Sequence, residues 1–195
     1  CSSLTSIIIP DGVTTIGERA FEGCSKITSI TIGNSVTAIE DNTFKGCTEV
    51  ISITIGNSVS TIGDSAFEGC TEVTSVTIGN SLTSIGNKAF KDCKYLSELI
   101  IPDGITSIGD SAFENCSSLP SFTIPDGVTS IGNNVFNGCE ALNPVVIHNN
   151  VTSFGDYSFQ GCKKLKSITI PTNVTDIGIG AFRRCSRLST VTIPD

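Results

Sequence analysis

The apolar residues follow a pattern that returns every 23 positions. In the first copy, Leu4, Ile7 and Ile9 are spaced as L-x-x-I-x-I, and the last two enclose one intervening residue, as in a strand with one buried face. Val13 and Ile16 follow in a second stretch, V-T-T-I, whose β-branched residues also favour extended backbone. The pattern therefore predicts two short strands in each copy.

The rest of each copy is rich in turn-forming residues. Gly17 is followed by Glu18, a position that is Asp or Asn in most later copies and that favours the start of a helical turn. We expect a short helical or 3₁₀ turn that carries Ala20 and Phe21 and ends at Gly23, where Gly, Asn and Asp tolerate a left-handed conformation. The aromatic position is Phe in eight copies: Phe21, Phe44, Phe67, Phe90, Phe113, Phe136, Phe159 and Phe182.

Cysteine marks the same period along all 195 residues. It stands at Cys1, Cys24, Cys47, Cys70, Cys93, Cys116, Cys139, Cys162 and Cys185. Such strict periodicity predicts a solenoid in which each unit stacks on its neighbours. We interpret residues 1–195 as a single domain of eight 23-residue repeats plus a partial ninth. Because the chain lacks Met and both ends fall within the pattern, we expect it to be a fragment of a longer protein.

The repeat resembles a known type. Its motif, L-x-x-I-x-I-P followed by V-T-x-I-G-x-x-A-F-x-x-C, resembles the 23-residue leucine-rich repeat of BspA-like, treponemal-type proteins over the whole chain. The resemblance implies a right-handed superhelix with a parallel β-sheet and short helical or 3₁₀ turns. It also implies a cell-surface or secreted protein that binds host proteins or mediates adhesion.

The cysteines allow three interpretations: disulfides, a metal site or core packing. Repeats stack about 4.8 Å apart, and parallel Cβ directions at that spacing oppose disulfide closure. No two cysteines are closer than 23 residues, whereas zinc sites group their ligands within a few residues. We favour nine reduced thiols packed as small hydrophobic groups, Cys1 included, with no metal and no other cofactor.

Enzymatic activity requires a local break in the repeat where an acid, a base and a nucleophile converge. The single histidine, His148, has no visible catalytic partner in the sequence. We therefore expect a protein that is not an enzyme.

Charge and hydropathy exclude two kinds of partner. The net charge is −7, and residues 1–161 hold 6 basic and 17 acidic side chains. A surface of this sign argues against nucleic acid, which needs a continuous basic surface. No apolar run reaches the roughly 18 residues of a membrane span.

Equivalent positions in successive repeats form columns, and the outward columns that begin at Ser6 and Ile8 mostly hold Ser and Thr. Residues that depart from this pattern are candidate contacts for a protein ligand on the sheet face. They are Tyr95, Glu98, Ile100, Pro144, Val146 and His148. Neutral drift between copies is the alternative. A remote alternative is ice binding, because rows of Thr at repeat spacing form a flat, regular face.

The end of the chain is basic: residues 162–195 hold 6 basic and 2 acidic side chains. The basic residues are Lys163, Lys164, Lys166, Arg183, Arg184 and Arg187. Stacking brings them together, which predicts a site for an anionic glycan or an acidic protein surface. The alternative is a solvated face that keeps this end soluble.

These observations favour a non-enzymatic protein-binding or adhesion module. The alternative is a structural spacer, or a scaffold that assembles head to tail. Self-association is predicted because apolar groups of the first and last repeats lack a neighbour on one side.

Overall fold

The computed structural model describes residues 3–193, which form a parallel β-solenoid with one turn per 23-residue repeat. Its sixteen strands are short because each runs across only one side of the solenoid. They are β1 (Ser6–Ile9), β2 (Ser29–Ile32), β3 (Ala38–Ile39), β4 (Ser52–Thr54), β5 (Thr61–Ile62), β6 (Ser75–Thr77), β7 (Ser84–Ile85), β8 (Glu98–Leu99), β9 (Ser107–Ile108), β10 (Phe122–Thr123), β11 (Ser130–Ile131), β12 (Val145–Val146), β13 (Ser153–Phe154), β14 (Ser167–Thr169), β15 (Asp176–Ile177) and β16 (Thr190–Thr192).

The strands line two sides of the solenoid. One side, whose outer surface we call the strand face, consists of three sheets in the orders β1-β2-β4-β6-β8, β10-β12 and β14-β16. The other side, which we call the second side, consists of β3-β5-β7-β9 and β11-β13-β15. All pairings are parallel, and partners lie 23 residues apart, as Ser6 does from Ser29. Both predicted extended segments are thus confirmed.

The third side consists of consecutive hydrogen-bonded turns, and residues 3–193 contain no helix. The predicted helical or 3₁₀ turn around Ala20 and Phe21 is therefore wrong in detail. The N–H of Ala20 donates to the carbonyl of Gly17 at 3.2 Å, but Arg19 and Gly23 are left-handed, with φ of 57° and 67°. Left-handed residues at every fourth position prevent a helix from continuing. The described chain accordingly offers no helix that crosses a membrane.

The left-handed residues align their N–H groups with the next repeat. Arg19 donates to Asp41 at 3.1 Å, and Gly23 donates to Lys45 at 2.8 Å. The phenylalanine between them donates in the same direction, as Phe21 does to Thr43 at 2.9 Å, so three bonds form at each of the seven junctions from repeat 1 to repeat 8. Each runs from an N–H group to a carbonyl of the following repeat. We call this set the turn ladder. Its bonds offset the roughly 1–2 kcal/mol cost of a left-handed residue with a side chain.

The left-handed conformation predicted at the end of each turn is confirmed, and it includes Arg184 with φ of 61°. The second left-handed column was not predicted. It consists of Arg19, Asn42, Ser65, Lys88, Ser111, Asn134, Tyr157 and Gly180.

The residues in the column that begins at Glu18 form hydrogen bonds with the next repeat and do not cap a helix in their own repeat. Asp64 donates its N–H to Oδ1 of Asp41 at 2.7 Å, and Asn87 repeats this bond to Asp64 at the same distance. The Nδ2 of Asn87 also donates to Oδ2 of Asp64 at 3.0 Å. From Asp64 to Asp156 the column alternates Asp and Asn, so the carboxylates of Asp64 and Asp110 each have a side-chain amide on the following repeat.

The core consists of stacked phenylalanines and thiols. From Phe21 to Phe182, successive rings of the Phe column lie 5.3–5.8 Å apart between centroids. The eight cysteines from Cys24 to Cys185 are free, and all but the last are buried. Burial raises the pKa of Cys47 to about 11. The predicted thiol core is confirmed for these eight, while Cys1 lies outside the described residues.

Candidate partner-binding surfaces

Four of the predicted contact residues share the strand face. Glu98 and Ile100 belong to repeat 5, and Pro144 and Val146 occupy the same two columns of repeat 7. All four are exposed, and the exposed fraction of Ile100 reaches 82%. Two repeats at about 4.8 Å each place the pairs about 10 Å apart. The structure therefore brings these four residues into one surface.

The strand face is interrupted within this surface, because β8 and β10 are not paired. A cleft of about 220 Å³ occupies the interruption. It is lined by Leu99, Ile100, Ile101, Ser121, Phe122 and Thr123. Phe122 is 5% exposed and lies in the interior part of this lining, whereas Ile100 projects to solvent. The result is an apolar rim beside an apolar cleft, on a face that is otherwise mostly Ser and Thr.

The sequence argument did not identify this cleft. Two residues that differ from the equivalent residues of the other repeats mark the cleft in the sequence. Pro120 replaces residues that carry an N–H group, and Phe122 replaces an aliphatic residue.

Two predicted contacts lie away from this surface. Tyr95 is 53% exposed and occupies the column that holds Lys164 and Arg187 in later repeats. His148 follows β12, and its Nδ1 lies 3.2 Å from Oδ1 of Asp126. Neither residue lines the cleft.

Three of the predicted basic residues line one groove of about 670 Å³. The lining comprises Ser117, Ser118, Glu140, Ala141, Lys163, Lys164, Ser186 and Arg187. Lys163 is neutralised there, because its Nζ lies 2.7 Å from Oε1 of Glu140. Lys164 and Arg187 form no salt bridge within the part of the chain that the structure describes. Arg183, Arg184 and Lys166 are exposed but do not line the groove.

Salt bridges between successive repeats neutralise lysines elsewhere in the chain. Lys45 lies 2.9 Å from Glu68, and Lys91 lies 2.8 Å from Glu114. The hydrogen bond to Glu114 raises the pKa of Lys91. Lys88 and Lys94 also form no salt bridge among the described residues, but each lines a groove with two acidic side chains, whereas the groove of Lys164 and Arg187 holds one, Glu140.

Residues 3–193 contain no group of three or more His, Cys, Asp or Glu side chains placed to hold a metal ion. The described surfaces offer apolar contact at the cleft and positive charge in the groove.

A family model described as "BspA type Leucine rich repeat region" matches residues 1–119 and 83–195. The chain belongs to the BspA-type leucine-rich repeat family. Among solved structures, this BspA-type chain is similar to a leucine-rich cell surface protein of Faecalibacterium prausnitzii, at 35% identity and a TM-score of 0.80. That match covers 85% of this chain and 47% of the other, so the chain spans about half the length of that relative.

Two further structures agree with the family assignment. A leucine-rich repeat protein of Bacteroides ovatus is 31% identical with a TM-score of 0.64, and the match covers 94% of this chain and 59% of that one. The leucine-rich repeat protein of T. pallidum is 25% identical with a TM-score of 0.70, covering 93% and 72%. No curated protein matches this BspA-type chain significantly. The predicted resemblance and solenoid fold are confirmed.

Proposed function

We propose that this BspA-type chain is a non-enzymatic recognition module of a cell-surface or secreted protein. It binds a protein partner through the strand face around the cleft. The observation that carries this proposal is Ile100, an apolar side chain that is 82% exposed in a column that most repeats fill with Thr. Burying an isoleucine in a complex contributes about 1.5–3 kcal/mol. The F. prausnitzii relative, named a cell surface protein, supports the location.

The test compares two substitutions in the same column. Immobilised chain is exposed to a mixture of host extracellular proteins, and retained proteins are identified and then titrated individually. Ile100→Thr restores the common residue beside the cleft, and we expect it to weaken binding at least tenfold. Ile8→Thr is the matched control, because Ile8 is 74% exposed at the far end of the same face. Equal binding by both variants would contradict the proposal.

We also propose that the basic groove binds an anionic ligand, either a sulfated glycan or an acidic protein surface. The supporting observation is that Lys164 and Arg187 line the groove without a salt-bridge partner among the described residues. A Lys164→Glu, Arg187→Glu double variant is expected to elute from heparin at lower salt than the parent. The control is Lys88→Glu, Lys94→Glu, which makes the same charge change outside the groove. Equal retention of all three proteins would exclude the site.

Head-to-tail assembly is the second candidate, and it applies to the spacer or scaffold alternative. Exposed apolar side chains lie in the last turns, where Ile177 is 48%, Ile179 is 69% and Val191 is 45% exposed. Another copy stacked on these groups removes them from water. Its test is the sedimentation experiment in the Discussion.

A further inference from the structure

Both strand-bearing sides of the solenoid are interrupted at the same junction. Between repeats 5 and 6, β8 does not pair with β10, and β9 does not pair with β11. At the junction of repeats 7 and 8, the strand face is also interrupted, but β13 pairs with β15 on the second side. Within residues 3–193, the junction of repeats 5 and 6 is the one at which both sides lose their pairing.

Backbone hydrogen bonds on the second side show the same interruption. In the described chain, no backbone bond joins Thr129 to Thr106 or Gly132 to Ile108. The equivalent bonds at the two adjacent junctions are present at 2.7–2.9 Å, and they join Thr106 to Thr83, Gly109 to Ile85, Thr152 to Thr129 and Gly155 to Ile131. The backbone hydrogen bonds of the second side are therefore missing at this junction and present again at the next.

Gly132 gives an independent measure of the separation. A Cβ placed on Gly109 or Gly155 would lie 2.5–2.6 Å from a backbone atom of the preceding repeat. The three atoms nearest to a Cβ on Gly132 are all side-chain atoms, and the third lies 3.6 Å away. The backbones of repeats 5 and 6 are thus farther apart here than those of their neighbours.

Two side chains explain the interruption on the strand face. In repeats 4 and 5, Thr74 and Ser97 donate their N–H groups to the preceding repeat at 2.9 and 3.0 Å. Pro120 occupies that column in repeat 6 and has no N–H to donate. Phe122 then packs against Phe113 and Phe136, with centroids 5.1 and 4.8 Å away. Its ring takes the room of an aliphatic residue and fills the space between the separated strands.

The turn side of the same junction stays intact. The N–H groups of Ser111, Phe113 and Asn115 donate to carbonyls of repeat 6 at 2.8, 3.0 and 2.7 Å. The rings of Phe113 and Phe136 lie 5.8 Å apart, the widest spacing in the Phe column. One side of the junction is therefore held by these three bonds and by the N–H of Ser118, which donates to the carbonyl of Lys94 at 3.0 Å. Where the second side meets the turn side, Asn133 also donates its N–H and Nδ2 to Asp110 at 2.8 and 3.2 Å. The two strand-bearing sides are not held by strand pairing.

We propose that the junction between repeats 5 and 6 is a hinge. The turn ladder acts as the axis, and residues 3–115 bend relative to residues 116–193 by opening the two strand-bearing sides. Because the cleft lies on one of the opening sides, bending changes its width. The hinge is a property of the solenoid and does not depend on the proposed binding function.

The test measures the spread of distances between two spin labels on non-cysteine side chains. A ketone-bearing unnatural residue carries each label, because the native thiols belong to the core. One pair replaces Ser60 and Thr152, four repeats apart and across the hinge. The control pair replaces Thr14 and Thr106, in the same column and also four repeats apart, but with no interruption between them. Both mean distances are about 19 Å between backbone positions.

We expect a broader distance distribution for the pair across the hinge than for the control pair. Pro120→Thr restores the N–H donor and should narrow the broad distribution, while Thr74→Pro should broaden the control pair. Hydrogen exchange provides a second measurement that needs no labels: the amides of Thr129 and Gly132 should exchange at least tenfold faster than those of Thr152 and Gly155. Equal distribution widths together with equal exchange rates would overturn the hinge.

Discussion

Replacing Phe90 by alanine tests whether the stacked rings hold the solenoid together. Phe90 is fully buried, and its ring lies 5.3 Å from that of Phe67 and 5.7 Å from that of Phe113. Burial of about 200 Å² at about 25 cal/mol per Å² gives about 5 kcal/mol as an upper bound. Partial relaxation of the cavity lowers this, so we expect Phe90→Ala to reduce the free energy of unfolding by about 3–5 kcal/mol.

Urea unfolding followed by far-ultraviolet circular dichroism measures this loss, since the chain has no Trp to report by fluorescence. The midpoint should fall while the slope with urea stays constant. Phe21→Ala is the matched control, because Phe21 is half-buried and its ring stacks on Phe44 alone within the described chain. We expect it to cost about 2 kcal/mol. A loss below about 1 kcal/mol at Phe90, or a larger loss at Phe21, would refute the argument.

Three further predictions concern the thiols, the Asp and Asn column and the ends of the stack. Burial holds the pKa of Cys93 well above its ordinary value, so the thiol ionises at lower pH in the unfolded chain than in the folded one. The free energy of unfolding should therefore fall above pH 9, by up to about 1.4 kcal/mol per pH unit for each such buried thiol. Urea titrations at several pH values should show a shallower fall for Cys93→Ala. Asn87→Asp places a carboxylate between Asp64 and Asp110 and removes the amide donor. It should lower the free energy of unfolding by about 1 kcal/mol at low salt and by less at high salt. Asn87→Ser is the control, and its effect should show no such salt dependence. If the chain assembles head to tail, its sedimentation coefficient should rise with concentration, and Ile179→Lys should suppress the rise; a constant monomer value for the parent would contradict the assembly.

Periodicity was sufficient to predict the fold class because the same columns recur in every copy. The positions of Ile7, Val13 and Phe21 within the repeat determine which side chains face inward, and the structure places them accordingly. The turn conformation could not be derived in this way. Arg19, Ser65 and Tyr157 share a left-handed column although they have little in common as side chains, because the hydrogen bonds to the next repeat stabilise the backbone there.

The candidate surfaces were only partly predictable from departures in the repeat. Ile100 and Val146 stand out because their column otherwise favours Thr, and both lie on the interrupted face. His148 stands out equally in the sequence, but it pairs with Asp126 in a loop. The loss of strand pairing next to Pro120 is a property of two adjacent repeats, so a comparison of single columns does not reveal it.

The one-way direction of the turn ladder gives the turn side of the solenoid a local electrical polarity. Each peptide group carries a dipole of about 3.5 D, and at each of seven junctions three N–H groups on this side point towards repeat 8. On the two strand-bearing sides, the N–H groups of Ser97, Thr106 and Gly109 instead donate to the preceding repeat and point the opposite way. The opposed dipoles lie on different sides of the solenoid, so they offset one another in the sum over the molecule but not close to either surface. A charged group that approaches the solenoid therefore meets a backbone field whose direction depends on the side that it approaches.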